Sequence, residues 1–267
     1  MQGSSTWQPP GGTLGRILEE TRRRLPSLEG RRPTPSAQPR PAFRMALRRN
    51  HVAVIAELKR RSPSKGTLNN ALNAGQSVLF ERGGAAAISV LTEPEFFGGS
   101  VDDLVAVRAA VRLPLLKKDF HIDASQLLEA RLAQASAVLL IARALAPEDL
   151  TRLVQAARGL DLEPFVEVRS EAELERALEA GADIIGVNSR DLETLEVDES
   201  VPARLIPRIP SYVVGVWESG IRTVDDVRRA ADAGADAVLV GSALSQATDP
   251  AALVSELAGV NREPRDG

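Results

Sequence analysis

The segment Gly234-Ala-Asp-Ala-Val-Leu-Val is one of four copies of a repeated sequence motif. The other three copies begin at Gly84, Gln134 and Gly181. Successive copies start 50, 47 and 53 residues apart, a length that suits two strand–helix units. Glycine commonly ends a helix in the left-handed conformation, and small residues after it let the chain turn tightly into a buried strand. The repeat predicts that every second strand of an α/β fold begins in the same way.

Eight apolar runs rich in Val, Ile or Leu accompany this repeat. They cover residues 52–58, 86–91, 113–116, 137–142, 164–168, 183–187, 212–217 and 237–240. Stretches with a period of 3.6 residues separate them, at 101–111, 125–133, 147–157, 171–180 and 224–233. Alternating strands and helices favour a parallel sheet, and eight strands favour a closed barrel over an open sheet. We predict a (β/α)8 TIM barrel with an N-terminal helical extension.

The chain divides into four predicted regions. We expect a disordered tail at residues 1–12, a helical extension and linker at 13–50, the barrel at 51–260 and a C-terminal tail at 261–267. The apolar face of residues 13–25 predicts a helix with Thr13 as its N-cap. Residues 31–41 hold four prolines and no periodicity, which predicts a linker, and residues 42–49 predict a second short helix.

The composition excludes several classes of site. Cysteine is absent, which excludes disulfides, thiolate catalysis and zinc–sulfur sites. His51 and His121 are too few for a multi-histidine metal site, and 3% aromatic residues are too few for a base-stacking surface. The chain shows neither a signal peptide nor an apolar run long enough to span a membrane. We therefore expect a cytoplasmic protein with no metal, membrane or nucleic-acid partner.

Charge is distributed unevenly along the chain. The net charge is −3, yet residues 13–49 hold ten arginines against three glutamates. A basic arm can bind nucleic acid, can lie beside an anionic substrate, or can simply form a solvated helix and linker. The last interpretation is favoured, because solvated charge is the most common reason for such a run.

Polar side chains follow the predicted strands at the edge where barrel enzymes place their active sites. They are Glu57, Lys59, Lys118, Glu167, Asn188, Arg190 and Glu218. The period of two puts Glu57 and Lys59 on the same side of their strand, so both are expected to point into the barrel mouth. Two lysines and three glutamates compensate one another and suit acid–base chemistry, although a structural ring of ion pairs remains the alternative.

Two Ser/Gly pairs close the last two strands. Ser219-Gly220 follows the seventh run and Gly241-Ser242 follows the eighth. Many barrels hold a phosphate there with backbone N–H groups and a helix N-terminus, and glycine lets the backbone approach the anion. Each pair alone is typical of a plain turn, whereas the two together favour a phosphate site.

The segment Ile55-Ala-Glu57-Leu-Lys59-Arg-Arg-Ser62-Pro-Ser-Lys-Gly66 resembles the signature of the indole-3-glycerol phosphate synthases. The resemblance continues in order through residues 89–100, 116–120, 138–141, 166–168, 186–192, 218–221 and 240–242. It covers about residues 50–258. The family converts 1-(2-carboxyphenylamino)-1-deoxyribulose 5-phosphate into indole-3-glycerol phosphate, releasing carbon dioxide and water, and needs no metal or organic cofactor.

The resemblance implies catalytic roles for six residues. Lys118 would be the general acid that protonates the substrate carbonyl, and Glu167 would handle the proton in the later dehydration. Lys59 would pair with negative groups of the substrate and share the acid role. Glu57 and Asn188 would bind substrate hydroxyls and orient both lysines. Glu218 would complete the carboxylate set.

The resemblance also implies how the substrate is bound. Ser62 and Arg190 would bind the anthranilate carboxylate. Phe97, Phe120 and Leu139 would lie against the aromatic ring, whereas Leu140 is expected to belong to the core. Ser219, Gly220, Gly241 and Ser242 would hold the phosphate. The implied partner is a small phosphorylated molecule, and the enzyme would be a monomer or a weak oligomer.

Two residues depart from the family pattern. Trp217 stands where a small residue is usual, and alternation should turn its indole outward toward the helices, where it is hard to accommodate; a shifted strand end is the alternative. His121 stands where an aliphatic residue is usual, and we expect it at the surface or the rim of the mouth. The N-terminal segment is short and proline-rich, so no family contact made by that region is carried over to this chain.

Three other functions remain open at this point. A sister barrel, phosphoribosylanthranilate isomerase, uses a Cys/Asp pair, which the absence of cysteine argues against. A phosphosugar aldolase could use Lys118 or Lys59 to form a Schiff base. A barrel that binds a phosphate ligand without catalysis would have no need for both lysines and Glu167.

Overall fold

Eight parallel strands form a closed barrel in the computed structural model, which describes residues 7–25, 40–64, 66–69, 73–262 and 265. The strands are β1 (Ala53–Leu58), β2 (Ala87–Leu91), β3 (Leu115–Lys118), β4 (Ala137–Ile141), β5 (Glu163–Val168), β6 (Ile184–Asn188), β7 (Val214–Glu218) and β8 (Ala237–Val240). Each pairs with its neighbours in the sequence, and β8 pairs with β1. The predicted TIM barrel and all eight predicted strands are confirmed.

Helices connect the strands and surround the barrel. They are α1 (Gly12–Arg24), α2 (Phe43–Leu47), α3 (Ala74–Arg82), α4 (Pro94–Phe97), α5 (Val101–Ala110), α6 (Ala124–Leu132), α7 (Pro147–Gly159), α8 (Glu171–Glu179), α9 (Ser200–Leu205), α10 (Val224–Asp232), α11 (Ser242–Gln246) and α12 (Pro250–Leu257). Side chains of Ser100, Asp123, Ser170 and Thr223 cap α5, α6, α8 and α10, which explains where these helices begin.

The first residue of each copy of the repeated motif has a backbone φ angle in the left-handed region. The φ angles are +94° at Gly84, +61° at Gln134, +82° at Gly181 and +84° at Gly234. Glycine adopts this conformation without steric cost, whereas Gln134 pays about 1–2 kcal/mol to adopt it. The predicted common start of strands β2, β4, β6 and β8 is therefore confirmed, even where the glycine is missing.

The strands alternate between two apolar layers. Outward residues such as Val54, Leu140 and Trp217 pack with the helices, and inward residues such as Ile55 and Leu239 fill the barrel. The predictions that Leu140 belongs to the core and that Trp217 faces the helices are confirmed. Trp217 is 3% exposed and its indole nitrogen has no hydrogen-bond partner among the described residues.

The N-terminal helices close the two ends of the barrel. At the C-terminal end, Leu14, Ile17 and Leu18 of α1 join the inner apolar layer. At the opposite end, Phe43 of α2 meets Phe165 edge to face, with ring centroids 6.3 Å apart. Both predicted N-terminal helices are thus present.

The predicted N-cap of α1 is wrong. The cap is Gly11, and Thr13 lies buried in the first turn. The N–H of Thr13 donates to the carbonyl of Glu193 at 3.1 Å, and the N–H of Gly11 donates to the Glu193 carboxylate at 3.0 Å. The loop after β6 therefore satisfies the start of α1, and a side-chain cap is unnecessary. Residues 1–6 of the predicted tail and 31–39 of the predicted linker lie outside the described residues.

A buried ion cluster lies at the N-terminal end of the barrel. Asp236, which is 1% exposed, pairs with Arg262 at 2.9 Å and with Arg265 at 2.8 Å, and accepts the N–H of Gly215 at 2.8 Å. Nearby, Glu163 accepts the N–H of Arg44 at 2.8 Å and that of Phe43. Each carboxylate oxygen of Asp236 and Glu163 therefore has a partner.

Candidate active site

A cavity of about 210 Å³ opens at the C-terminal ends of the strands, beneath α1. It is lined by every residue that the sequence predicts for the site, and by Thr13 and Ile17 of α1. The predicted set is Glu57, Lys59, Ser62, Phe97, Lys118, Phe120, Leu139, Glu167, Asn188, Arg190, Glu218, Ser219, Gly220, Gly241 and Ser242. Elements far apart in the sequence thus meet in one pocket.

Lys118 lies at the centre of the charged groups. Its Nζ is 3.5 Å from Glu167 Oε2 and 3.3 Å from Glu218 Oε2. Burial alone would lower the pKa of Lys118, but Glu218, Glu167 and Glu57 outweigh it and raise that pKa above the ordinary lysine value. The ammonium is therefore fully charged at neutral pH and can donate a proton or a hydrogen bond into the pocket.

Glu57 and Lys59 form the second charged pair, on β1 and directly after it. Lys59 Nζ lies 2.7 Å from Glu57 Oε1. Burial raises the pKa of Glu57, but the charges of Lys59 and Lys118 outweigh burial and keep that pKa below the ordinary value. Gly241 lies against this pair, and a Cβ at that position would collide with the Glu57 carboxylate and contact Lys59 Nζ at 3.0 Å. Glycine at 241 therefore makes room for the pair.

Glu218 is the least compensated group in the pocket. It is 1% exposed, and its one partner among the described residues is the ammonium of Lys118, 3.3 Å from Oε2. Burial, reinforced by Glu167 and Glu57 against the opposing charge of Lys118, raises the pKa of Glu218 to about 8. A Cβ at Gly186 would collide with the Glu218 carboxylate and with the ring of Phe165. The missing side chain at 186 is what allows this carboxylate to enter the barrel.

Asn188 links the charged groups to the loop after β6. Its Nδ2 donates to Glu167 Oε1 at 3.0 Å, and its Oδ1 accepts the N–H of Arg190 at 2.9 Å. Arg190 donates to the carbonyl of Leu195 at 2.7 Å. This chain of hydrogen bonds orients Glu167 and holds the Arg190 side chain beside the pocket.

One wall of the cavity is apolar. The rings of Phe97 and Phe120 lie 6.0 Å apart at an angle of 35°, and Leu139 lies in the same apolar cluster. Phe97 ends α4, whose first three N–H groups donate to the carboxylate of Glu93. Such a wall suits a planar aromatic ring.

The opposite part of the cavity combines serines with unusual backbone. Ser219 and Gly220 both have left-handed φ angles, of +66° and +86°. Gly241 precedes Ser242, the first residue of α11. Left-handed backbone at a non-glycine residue is costly and is concentrated at functional sites. These loops follow β7 and β8, where barrels commonly bind phosphate.

Comparison with known proteins identifies the family. The family described as indole-3-glycerol phosphate synthase matches residues 15–257. Indole-3-glycerol phosphate synthase 1 of Streptomyces coelicolor is 50% identical over 220 residues, which are 82% of each chain. The synthase of Mycobacterium avium is 44% identical over 263 residues, covering 96% of this chain and 97% of the relative.

The chain belongs to the indole-3-glycerol phosphate synthase family. This family consists of decarboxylating, ring-closing lyases of tryptophan biosynthesis. The barrel itself is shared more widely, since a thiamine phosphate pyrophosphorylase from Pyrococcus furiosus matches with a TM-score of 0.59 and 19% identity, over 78% of this chain and 94% of that one. At that identity the likeness shows the fold alone. None of the helices in the described part of the chain has the length and hydropathy of a membrane span.

The prediction for His121 is wrong. It is 2% exposed rather than at the surface or rim, because its ring lies between Lys117 and the carbonyl of Leu139. Sequence reasoning also missed Gly186, whose role depends on the position of Glu218 across the barrel. One signal was available, because period-two alternation places Gly186 inward between Ile184 and Asn188.

Proposed function

We propose that this chain closes the indole ring of 1-(2-carboxyphenylamino)-1-deoxyribulose 5-phosphate, with loss of carbon dioxide and water, through the residues gathered at the barrel mouth. The observation that carries this proposal is the position of Lys118 between Glu167 and Glu218, beside an apolar wall and opposite the Ser219-Gly220 turn. An acid, its carboxylate partners, a ring-binding wall and an anion-binding turn are the four parts that this substrate requires.

In the first step, Lys118 acts as the general acid. The aryl carbon that bears the carboxylate attacks the ketone carbon of the ribulose chain, and Lys118 donates a proton to the carbonyl oxygen as the new bond forms. The carboxylate then leaves as carbon dioxide, and its bonding electrons restore the aromatic ring. The carboxylates around Lys118 keep the ammonium charged and directed into the pocket, so the developing oxyanion is stabilised electrostatically.

In the second step, Glu167 handles the proton of the dehydration. The new hydroxyl leaves as water after protonation, and removal of a proton completes the indole. Asn188 holds Glu167 Oε1 at 3.0 Å, which leaves the other oxygen free to face the substrate and Lys118. Glu57 and Lys59 bind the hydroxyl and anionic groups, and Lys59 shares the acid role.

Substrate binding divides between two anionic ends. Ser62 and Arg190 take the anthranilate carboxylate, and Phe97, Phe120 and Leu139 contact the ring. Ser219, Gly220, Gly241 and Ser242 take the phosphate. We also expect the enzyme to act in the cytoplasm as a monomer or a weak oligomer, with no membrane or nucleic-acid partner.

The direct test is to incubate the protein with the carboxyphenylamino substrate and follow the increase in indole fluorescence. We expect turnover without any added cofactor. Binding without turnover would refute the catalytic proposal. Borohydride added during turnover should trap no substrate on the protein, whereas a trapped lysine adduct would indicate Schiff-base chemistry instead.

A further inference from the structure

A second cluster of ionisable side chains lies around the outer face of β3, and of its members only Asp119 also lines the cavity. Lys117 is fully buried and points outward, because Lys118 points inward. Its Nζ lies 3.0 Å from Asp119 Oδ2, 3.3 Å from Glu129 Oε2 on α6 and 3.4 Å from His121 Nε2. Each of the three ammonium hydrogens therefore faces one acceptor.

The tautomer of His121 follows from its contacts. Its Nδ1 lies 2.7 Å from the carbonyl oxygen of Leu139, which can only accept, so Nδ1 carries the proton. Nε2 is then free to accept from Lys117. Burial and the charge of Lys117 lower the pKa of His121 to about 3, so the ring stays neutral at physiological pH.

This cluster supports the side of β3 that faces β4, where the strand pairing is short. β3 pairs with β4 at two positions, Leu116 with Ala137 and Lys117 with Val138, whereas β4 and β5 pair at five. On this side Lys118 lies beyond the last paired position, whereas on the other side it pairs with Leu91 of β2. On the β4 side, His121 ties the segment to the Leu139 carbonyl. On the β2 side, the Thr92 hydroxyl donates to Asp119 Oδ2 at 2.6 Å.

The composition of the chain adds a separate observation. Lysine and arginine together number 33, of which four are lysines, leaving 29 arginines. Three of those lysines are Lys59, Lys117 and Lys118. Most basic residues of this chain are arginines, so a buried lysine at 117 indicates a need for a compact ammonium group. A planar guanidinium would not fit between the three convergent acceptors.

We propose that Lys117, Asp119 and His121 form a positioning network that holds Lys118 and Phe120 in place at the barrel mouth. Phe120 is held directly as well, since its N–H donates to Asp119 Oδ1 at 2.9 Å. The network acts through Lys118 and Phe120, which alternate with its members along the chain. The inference rests on the proposed function, in which Lys118 is the acid and Phe120 contacts the ring.

The test uses three variants. His121→Leu removes both contacts of the ring and keeps apolar bulk, while His121→Asn keeps a donor near the position of Nδ1. Asp236→Asn is the matched control, because it disturbs an equally buried ion cluster at the opposite end of the barrel. We expect His121→Leu to lower kcat about tenfold with KM changed less than threefold. His121→Asn should recover kcat to within threefold, and Asp236→Asn should lower Tm while kcat stays within twofold.

A second measurement does not depend on activity. With ¹³C-labelled lysine, four ε-methylene signals are expected by NMR, and Lys118→Arg identifies that of Lys118. This signal should move in His121→Leu and stay in place in Asp236→Asn. An unmoved signal, an unchanged kcat in His121→Leu, or no recovery in His121→Asn would overturn the inference. If the wild type turns over no substrate, the proposed function fails, and the NMR result alone decides whether the network positions Lys118.

Discussion

Carboxylates lie at both ends of the barrel, and the two ends differ in how completely these groups are partnered. At the N-terminal end, Asp236 has two arginines and a backbone N–H, and Glu163 has two backbone N–H groups. At the mouth, three glutamates share two lysines, and Glu218 has no partner among the described residues except Lys118, which it shares with Glu167. Fully partnered charges have no free interaction to offer a ligand. Incompletely partnered charges leave interactions available to a ligand, which distinguishes a site from a structural cluster.

The largest effect is expected at the centre of the mouth. Lys118→Ala should lower kcat by about 10³-fold with a much smaller change in KM, because the proton is donated in the transition state. Steady-state indole fluorescence measures both constants. Lys59→Ala, a comparison variant at the same end, should raise KM more than Lys118→Ala does. A Lys118→Ala enzyme with kcat within tenfold of wild type would remove Lys118 from the acid role.

Gly186→Ala tests whether activity depends on the absence of a side chain at position 186, which leaves room for Glu218. The added Cβ would displace Glu218 and Phe165, so we expect about tenfold lower kcat and a loss of about 1–3 kcal/mol in the free energy of unfolding. Gly159→Ala is the matched control, since its Cβ meets nothing within 4 Å and should leave both values nearly unchanged. Denaturant unfolding and kinetics measure the two effects. Unaltered activity in Gly186→Ala would show that the Glu218 side chain can adopt another position without loss of catalysis.

The two ends of the barrel should also differ in how they make stability depend on pH. The pKa of Glu218 is raised from 4.5 to about 8, so the native state holds a proton that the unfolded chain releases. This contribution to stability is complete below pH 4.5 and is lost as the pH rises through about 8. Tm should therefore fall over this range more steeply in wild type than in Glu218→Gln. Parallel Tm curves for the two proteins would contradict the raised pKa.

The smallest effect is expected at the N-terminal end. Glu163→Gln removes one of two acceptors for the first N–H groups of α2 and should cost about 1–2 kcal/mol of stability. Because Glu163 lies at the opposite end from the mouth, kcat should stay within twofold of wild type. Thermal unfolding and initial rates check both values. A large loss of activity would show that the two ends are coupled.

Much of the fold and the site could be predicted from the sequence, because both depend on periodicity. Alternation within strands correctly predicted that Glu57 points inward and Trp217 outward. The rule that barrel sites lie at strand ends correctly predicted that the charged residues line one cavity. The predicted roles of these residues stay predictions until the kinetics are measured.

What could not be predicted depends on contacts between distant segments. His121 is buried because Lys117 and the Leu139 carbonyl surround its ring, and no local pattern records that. Thr13 needs no cap role because the loop around Glu193, far away in the sequence, satisfies the start of α1. Gly186 matters only because Glu218 lies opposite it. In each case the deciding neighbour lies on another element.

The pairing of β8 with β1 has a consequence for the order of assembly during synthesis. Ala53 pairs with Ala237, so β1 leaves the ribosome about 180 residues before its second neighbour. Until then its outer edge presents unpaired backbone groups, which is where nascent chains aggregate. The closing strand also brings Asp236, the anchor of the C-terminal arginines. Synthesis of the last quarter of the chain therefore completes the barrel and ends the period in which the edge of β1 is unpaired.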